Sequence, residues 1–183
     1  MGKYLIVLMA IWVITSWEGK AQTIEALKAW VNQDPATRNE LAEESFAQQA
    51  LSREEAQAIS VILDSLWRSK MSTTYLEAVK TGLFTWNNLQ MKLGGRIYGK
   101  KPADGYSLYI SMHGGGSAPK ETNDQQWKNQ IRLYTPHEGV YFAPRAPWDD
   151  WNMWFKPGMD EFLEMLIQAT VALLDVNPDK VYL

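Results

Sequence analysis

A histidine followed by three glycines, His113-Gly114-Gly115-Gly116, closes a short apolar run of the chain. Consecutive glycines leave the backbone unrestrained by side chains, at a cost in conformational entropy. Such a backbone can turn its amide N–H groups toward one point and let another group approach closely. Amides gathered in this way stabilise the negative charge that develops in acyl transfer. The alternative is a glycine-rich connection from a strand to a helix that binds no ligand.

A second candidate segment, residues 148–155, carries four aromatic side chains and two adjacent acids. Aromatic faces suit sugars or aromatic acyl groups, and polar neighbours can orient a ligand. Equally, these tryptophans could cover the core beneath an extended loop. Asp149 and Asp150 are only a weak metal signal, because neighbouring acids are usually just solvated, so neither a metal nor a cofactor is predicted. Together with Trp127, which lies in a predicted helix, the candidate substrate-binding residues are Trp148, Trp151, Asn152 and Trp154.

Alternating strands and helices position both segments. The pattern predicts a hairpin that turns at Asn87-Asn88, a strand from Tyr106 to Met112, a second strand from Val140 to Ala143, and a last strand from Val181. Asparagine tolerates the positive φ of hairpin turns. Strands that alternate with helices favour a parallel sheet with right-handed crossovers. Both candidate segments then follow the carboxyl ends of strands, where sites in such sheets form.

The elements between these strands are also predicted from local patterns. The two crossover helices are expected from Asn123 to Tyr134 and from Phe162 to Val176, the second ended by Asn177-Pro178-Asp179. Gly94-Gly95 is expected to form a β-bulge in the second hairpin strand.

The first 72 residues lack the alternation of strands and helices that the rest of the chain shows. Residues 1–21 have a positive start, an apolar run of 12 residues and small residues before Gln22, which is the order of a secretory signal peptide. Cleavage is expected after Ala21, giving a secreted or periplasmic protein; the alternative is a buried N-terminal helix. Residues 22–72 are expected to form a helical appendage, with a capping box at Ser52 and Glu55. A lid or pro-segment is the alternative role for it.

Composition excludes several classes of function. The chain has a net charge of −3 and no basic stripe, so nucleic acid is not an expected partner. It has no cysteine, which rules out disulfides, thiolate metal sites and a cysteine nucleophile.

Three segments together resemble the α/β-hydrolases, within the secreted bacterial esterases and related serine peptidases. They are His113-Gly114-Gly115-Gly116, GVYFAPRAP from Gly139 to Pro147, and NPDKVYL from Asn177 to Leu183. The resemblance covers about residues 84–183. It implies the N-terminal half of that fold, a β-hairpin followed by a parallel βαβαβ unit, over residues 73–183. In this family one oxyanion-hole amide comes from the loop after the third strand. Gly114 and Gly115 are the candidates for it, with His113 bracing the loop and not acting as the base.

The family's nucleophile elbow, Gly-x-Ser-x-Gly, does not occur in the sequence. Ser107 and Ser117 follow a glycine by two positions, but neither has the second glycine. The triad of this fold runs serine, acid, histidine from the elbow onward, and His137 is expected to be a surface residue. The chain is therefore expected to be a fragment that ends before its nucleophile, inactive alone. A short, apolar last strand would also make it poorly soluble.

The function expected from this resemblance is that of a secreted carboxylic-ester hydrolase acting on a small-molecule or polysaccharide ester. This chain would supply the oxyanion-hole loop but not the Ser-Asp-His triad. Two alternatives stay open: a fragment of a serine peptidase of the prolyl-oligopeptidase kind, and a non-catalytic module that grips a glycan with the tryptophan-rich segment. No membrane contact is expected after signal cleavage, and nothing in the sequence indicates an oligomeric state.

Overall fold

A computed structural model describes residues 23–34, 37 and 39–183. The predicted signal peptide, residues 1–21, lies outside the described residues. The chain divides into two compact units, Met1–Asp64 and Ser65–Leu183. One long helix, α2 (Arg53–Thr81), runs through the division and continues without interruption past residue 72. Across the part of the chain that the structure describes, no helix is both long and apolar enough to cross a membrane.

The first unit contains α1 (residues 23–31), a 3-10 turn at Leu41–Glu43 and the first part of α2. The predicted capping box is confirmed at the start of α2. The Glu55 N–H donates to Ser52 Oγ at 3.2 Å, and the Ser52 N–H donates to Glu55 Oε2 at 2.8 Å. These two bonds satisfy amides that the first helical turn leaves without intrahelical partners.

The second unit is a mixed α/β structure built on a five-stranded sheet of order β1-β2-β4-β3-β5. The β1–β2 and β2–β4 pairs are antiparallel, whereas β3 is parallel to both β4 and β5. Two further helices, α3 and α4, connect β3 to β4 and β4 to β5. The bounds are β1 Leu83–Trp86, β2 Leu89–Tyr98, β3 Tyr106–Ile110, α3 Lys120–Gln130, β4 Gly139–Arg145, α4 Met159–Leu174 and β5 Val176–Tyr182.

The predicted hairpin and the parallel strands are confirmed. Asn87 and Asn88 have φ values of 44° and 65°, the left-handed pair that a two-residue hairpin turn requires. The predicted bulge at Gly94-Gly95 is wrong, because β2 pairs with β4 in unbroken register. The glycines instead permit close approach. A Cβ on Gly94 would lie 2.1 Å from Ile131 Cδ1, and one on Gly95 would lie 2.0 Å from the Tyr141 carbonyl oxygen.

The last helix and strand also differ from expectation. Helix α4 ends at Leu174, where Asp175 adopts a left-handed φ of 53°. Strand β5 then begins at Val176 and includes Asn177-Pro178-Asp179, so it has seven residues and not the short length predicted. Proline is tolerated there because β5 is an edge strand, with a register shift where it pairs with β3. The first crossover helix also begins earlier than predicted, at Lys120, and ends at Gln130.

The core of the second unit lies between the sheet and α4. Phe84, Leu108 and Val140 on the strands pack with Phe162 and Leu166 on the helix, and all five are fully buried. This burial follows the apolar spacing of α4, whose stripe repeats at helical intervals. Helix α3 is attached to the sheet by polar contacts, which include a 2.8 Å hydrogen bond from Trp127 Nε1 to the Ala143 carbonyl and one of 2.5 Å from the Tyr141 hydroxyl to the Gln130 carbonyl.

Candidate functional site

Two loops meet at the carboxyl edge of the sheet. The glycine loop, residues 111–119, connects β3 to α3, and the tryptophan loop, residues 146–158, connects β4 to α4. Because β3 and β4 are parallel neighbours, both loops leave the sheet on the same side. The sequence therefore brings together the two segments singled out for their chemistry.

His113 joins the two loops from a buried position. It is 1% exposed, and its Nδ1 lies 2.6 Å from the Gly114 carbonyl oxygen. Its Nε2 accepts a hydrogen bond from the Ala146 N–H at 3.2 Å, so the ring proton is on Nδ1, which donates to Gly114. Burial lowers the pKa of His113 below its ordinary value. The hydrogen bond to Gly114 raises this pKa in part, and the nearby positive charge of Arg145 lowers it further. With both ring nitrogens engaged, the imidazole connects the Gly114 carbonyl to the Ala146 N–H.

The carbonyl groups of the glycine loop are held in place one after another. Four successive carbonyls, from His113 to Gly116, each accept a hydrogen bond. Two of the donors are side chains on other elements, one is the ring of His113 itself and one is a backbone amide within the loop. Trp154 Nε1 donates to the His113 carbonyl at 2.9 Å, and His113 Nδ1 donates to the Gly114 carbonyl at 2.6 Å. The Ala118 N–H donates to the Gly115 carbonyl at 3.2 Å, and Asn123 Nδ2 donates to the Gly116 carbonyl at 3.0 Å.

The amide groups of the same segment are left open. A planar trans peptide holds its C=O and the following N–H on opposite sides. Each fixed carbonyl thus turns the next N–H, from Gly114 to Ser117, away from its donor. None of these four N–H groups donates to an acceptor among the described residues. Successive unpaired amides are the groups from which proteins build anion-binding concavities.

Asn123, in the first turn of α3, supports the loop from beneath. It is fully buried, and its Nδ2 donates to the Ala118 carbonyl at 3.0 Å in addition to Gly116. Its Oδ1 is buried and has no hydrogen-bond partner within the described chain. A Cβ on Gly115 would lie 1.9 Å from that oxygen. Gly115 is therefore required both by this contact and by its φ of 122°.

Gly114 differs from the next two glycines. A Cβ placed there would meet nothing within 4 Å, and its φ lies outside the left-handed region. Gly116 has a φ of 58°, and a Cβ on it would lie 3.3 Å from Trp151 Cα. Packing and backbone conformation thus explain two of the three glycines. At Gly114 neither packing nor backbone conformation requires a glycine.

Arg145, at the end of β4, fixes the tryptophan loop to α3. The side chain is buried, and its Nε donates to Asp124 Oδ1 at 2.8 Å. Its Nη1 donates to the Ala146 carbonyl at 2.7 Å, and its Nη2 donates to Asp149. Hydrogen bonds from Lys120 and Arg145 lower the pKa of Asp124 to about 2. The Asp149 carboxylate is thus paired with Arg145. The described residues contain no group of three or more acids or histidines suited to a metal.

The five predicted substrate-binding residues fall into different surroundings. Trp148 and Trp154 pack against the core, and Trp127 is tied to β4 through its Nε1. The Asn152 carbonyl accepts the Phe155 N–H at 2.8 Å within a turn of the loop. Trp151 is the exception, because it is 79% exposed and lies beside the glycine loop. Its N–H donates to Ser117 Oγ at 3.0 Å.

Neither serine considered as a nucleophile is placed to act as one. Ser107 is buried in β3, and its Oγ donates to Glu138 Oε1 at 2.7 Å. Ser117 Oγ holds the Trp151 backbone. His137 is exposed and lines an open groove of about 420 Å³ together with Tyr109 and Tyr182, and His113 and the three glycines do not line it.

The sequence did not point to the groups that hold the loop in shape. Asn123, Arg145 and the Nε1 of Trp154 act through contacts with residues far along the chain or across a turn. The one available signal was position, because a polar residue in the first turn after a glycine loop can reach back to its carbonyls.

Comparisons of this chain with protein-family models, with curated proteins and with solved structures find no match.

Proposed function

We propose that the second unit is part of a serine ester hydrolase and that its glycine loop supplies oxyanion-hole donors. The observation that carries this proposal is a run of four peptide groups between His113 and Ser117, in each of which the carbonyl is fixed and the N–H is unpaired. Donors arranged before the reaction stabilise the oxyanion without reorganising, and removal of one typically costs about 2.7–4 kcal/mol of transition-state stabilisation. Gly114 and Gly115 are the candidates for the donor that this loop supplies.

The position of the loop in the fold supports the same proposal. A hairpin precedes a parallel βαβαβ unit, and the glycines follow the third strand and precede the first crossover helix. In α/β-hydrolases the loop after the third strand provides one of the two oxyanion-hole amides. We therefore propose the N-terminal half of an α/β-hydrolase fold for this unit.

The proposal assigns the Ser-Asp-His triad to residues outside the 183 of this chain. The sequence has no Gly-x-Ser-x-Gly, and Ser107, Ser117 and His113 are each engaged in other contacts. The amide of the residue after the nucleophile would be the second oxyanion-hole donor. Secretion of the protein and an ester of a small molecule or polysaccharide as substrate belong to the same proposal.

Reading the gene past codon 183 tests this proposal. We expect a Gly-x-Ser-x-Gly soon after the end of β5, with a later acid and histidine. The 183-residue chain itself should hydrolyse p-nitrophenyl acetate no faster than buffer. Turnover by this chain that survives substitution of both Gly114 and Gly115 would contradict the proposal, as would a continuing frame with no nucleophile elbow.

A further inference from the structure

We propose that Trp151 is the specificity-determining residue of this site and that its ligands carry a six-membered ring with an apolar face next to the carboxyl carbon. The ring is either an aryl group or a pyranose, since both present an apolar face that stacks on indole. This inference rests on the proposed function, because it takes the amides of the glycine loop as the carboxyl-binding group. It adds the chemical class of the acyl part.

The exposure of Trp151 is the first observation behind this inference. A tryptophan side chain usually contributes a large buried area to a core or an interface. Trp151 is 79% exposed, whereas Trp148 and Trp154 on the same loop pack against the core. An indole ring left open at the edge of an anion-binding loop provides the kind of surface that ligand sites use.

The backbone of Trp151 is fixed to the glycine loop, which is the second observation. Its N–H donates to Ser117 Oγ at 3.0 Å, and its Cα lies 3.3 Å from the position of a Cβ on Gly116. The indole is thus attached next to the amides of Gly116 and Ser117. These two amides continue the row that begins with Gly114 and Gly115, so we expect a ring joined to a carboxyl group bound in that row to reach the Trp151 side chain.

The tryptophan loop is anchored on both sides of Trp151. Before it, Asp149 pairs with Arg145, and Asp150 pairs with Lys156. After it, Trp154 Nε1 donates to the His113 carbonyl. Since the support is held in place before binding, less ordering entropy is lost when a ring docks.

The charges around this surface favour a ligand whose only charge is its oxyanion. Lys120 pairs with Asp124, and Arg145 pairs with both Asp124 and Asp149. Lys156, which pairs with Asp150, also lies over the Trp148 ring at 5.3 Å. Because these charged groups neutralise one another, the surface beside Trp151 distinguishes ligands by their shape and their apolar contact with the indole.

The test measures dissociation constants of carboxylic acids by ligand-detected NMR on the 183-residue chain. Acetate reports the carboxyl-binding amides alone, benzoate adds an aryl ring, and glucuronate adds a pyranose. We expect at least one ring acid to bind about two- to tenfold more tightly than acetate. Trp151→Ala should remove that gain and leave acetate binding unchanged. Phe155→Ala is the matched control, since Phe155 is an equally exposed aromatic residue of the same loop, and it should keep the gain.

The outcomes separate this inference from the proposed function. A gain for benzoate alone identifies an aryl acid, and a gain for glucuronate alone identifies a sugar acid. Acetate binding without any gain for either ring overturns the inference and leaves the proposed function intact. A gain that survives Trp151→Ala, or that Phe155→Ala removes, overturns it as well. Failure of acetate to bind overturns the proposed function, and the inference falls with it.

Discussion

Asn123 lies fully buried beneath the glycine loop and donates from Nδ2 to the Gly116 carbonyl at 3.0 Å. The same nitrogen donates to the Ala118 carbonyl, so one side-chain amide fixes two peptide groups of the loop. Fixing the Gly116 carbonyl turns the Ser117 N–H to the opposite side of its peptide plane. Asn123 thereby sets the direction in which the Ser117 N–H points, although its own side chain lies beneath the loop.

Asn123→Asp should destabilise the second unit by about 1–3 kcal/mol. A carboxylate keeps the shape of the side chain but cannot donate, so it would face two carbonyl oxygens with no hydrogen to share. The free energy of unfolding in urea measures the effect. Asn129→Asp, on the exposed side of the same helix, is the control and should change stability much less. Equal losses for the two variants would mean that Asn123 does not hold the loop.

Gly114 and Gly115 should respond differently to alanine. At Gly115 the new Cβ meets Asn123 Oδ1, and the φ of 122° is unsuited to an L-residue, so a loss greater than about 1–2 kcal/mol is expected. At Gly114 there is open space, so the change should stay within about 0.5 kcal/mol. Urea unfolding of both variants checks this, and a similar loss at the two positions would contradict the loop geometry.

Stability should fall as the pH decreases below the ordinary pKa of histidine, about 6.5. Burial lowers the pKa of His113, so the unfolded chain binds its proton more readily than the native state. The contribution is complete above about pH 6.5 and is lost as the pH falls through the native pKa. Protonation also removes the Nε2 acceptor of the Ala146 N–H.

Two variants separate this effect from other titrations, since the chain has only two histidines. We expect the free energy of unfolding to drop between about pH 7.5 and about pH 5.5 in the unmodified chain and in His137→Gln. In His113→Gln the drop should disappear. A drop that depends on His137 and not on His113 would show that the brace assigned to His113 is wrong.

Arg145→Lys should cost about 2–4 kcal/mol, although it keeps the charge. The guanidinium donates to Asp124, to Asp149 and to the Ala146 carbonyl from three different nitrogens, which one ammonium group cannot reproduce. The exposed Arg132 offers the control substitution Arg132→Lys, which should have little effect. Chemical unfolding of the two variants compares them directly, and an undiminished stability in Arg145→Lys would exclude the anchoring role.

Local signals in the sequence predicted the elements that local interactions determine. Asn87-Asn88 marks the hairpin because its own backbone adopts positive φ, and Ser52 with Glu55 marks a helix start through bonds three residues apart. Asn177-Pro178-Asp179 has the residue types of a turn and so predicts a helix end, but it lies in β5. Pairing of β5 with β3, more than sixty residues away in sequence, draws this segment into an edge strand instead.

In the candidate site, too, local features could be predicted and features that depend on distant contacts could not. The two loops could be found from His113 and the glycines and from the density of aromatic residues. Which tryptophan stays exposed depends on packing against a core assembled from distant elements, and so Trp148 and Trp151 could not be told apart. Asn123 was missed because its role exists only once α3 starts three residues earlier than the pattern indicates.

The most direct test of the central claim is an amide NMR titration with acetate after selective ¹⁵N-glycine labelling. The chain has 12 glycines, so the spectrum is simple, and the tolerated Gly114→Ala variant assigns one resonance by its disappearance. We expect saturable shifts of the Gly114, Gly115 and Gly116 amides with acetate, well beyond those caused by chloride at the same ionic strength. Shifts no larger than those of the other glycines would contradict the claim that this loop presents its amides to an anion.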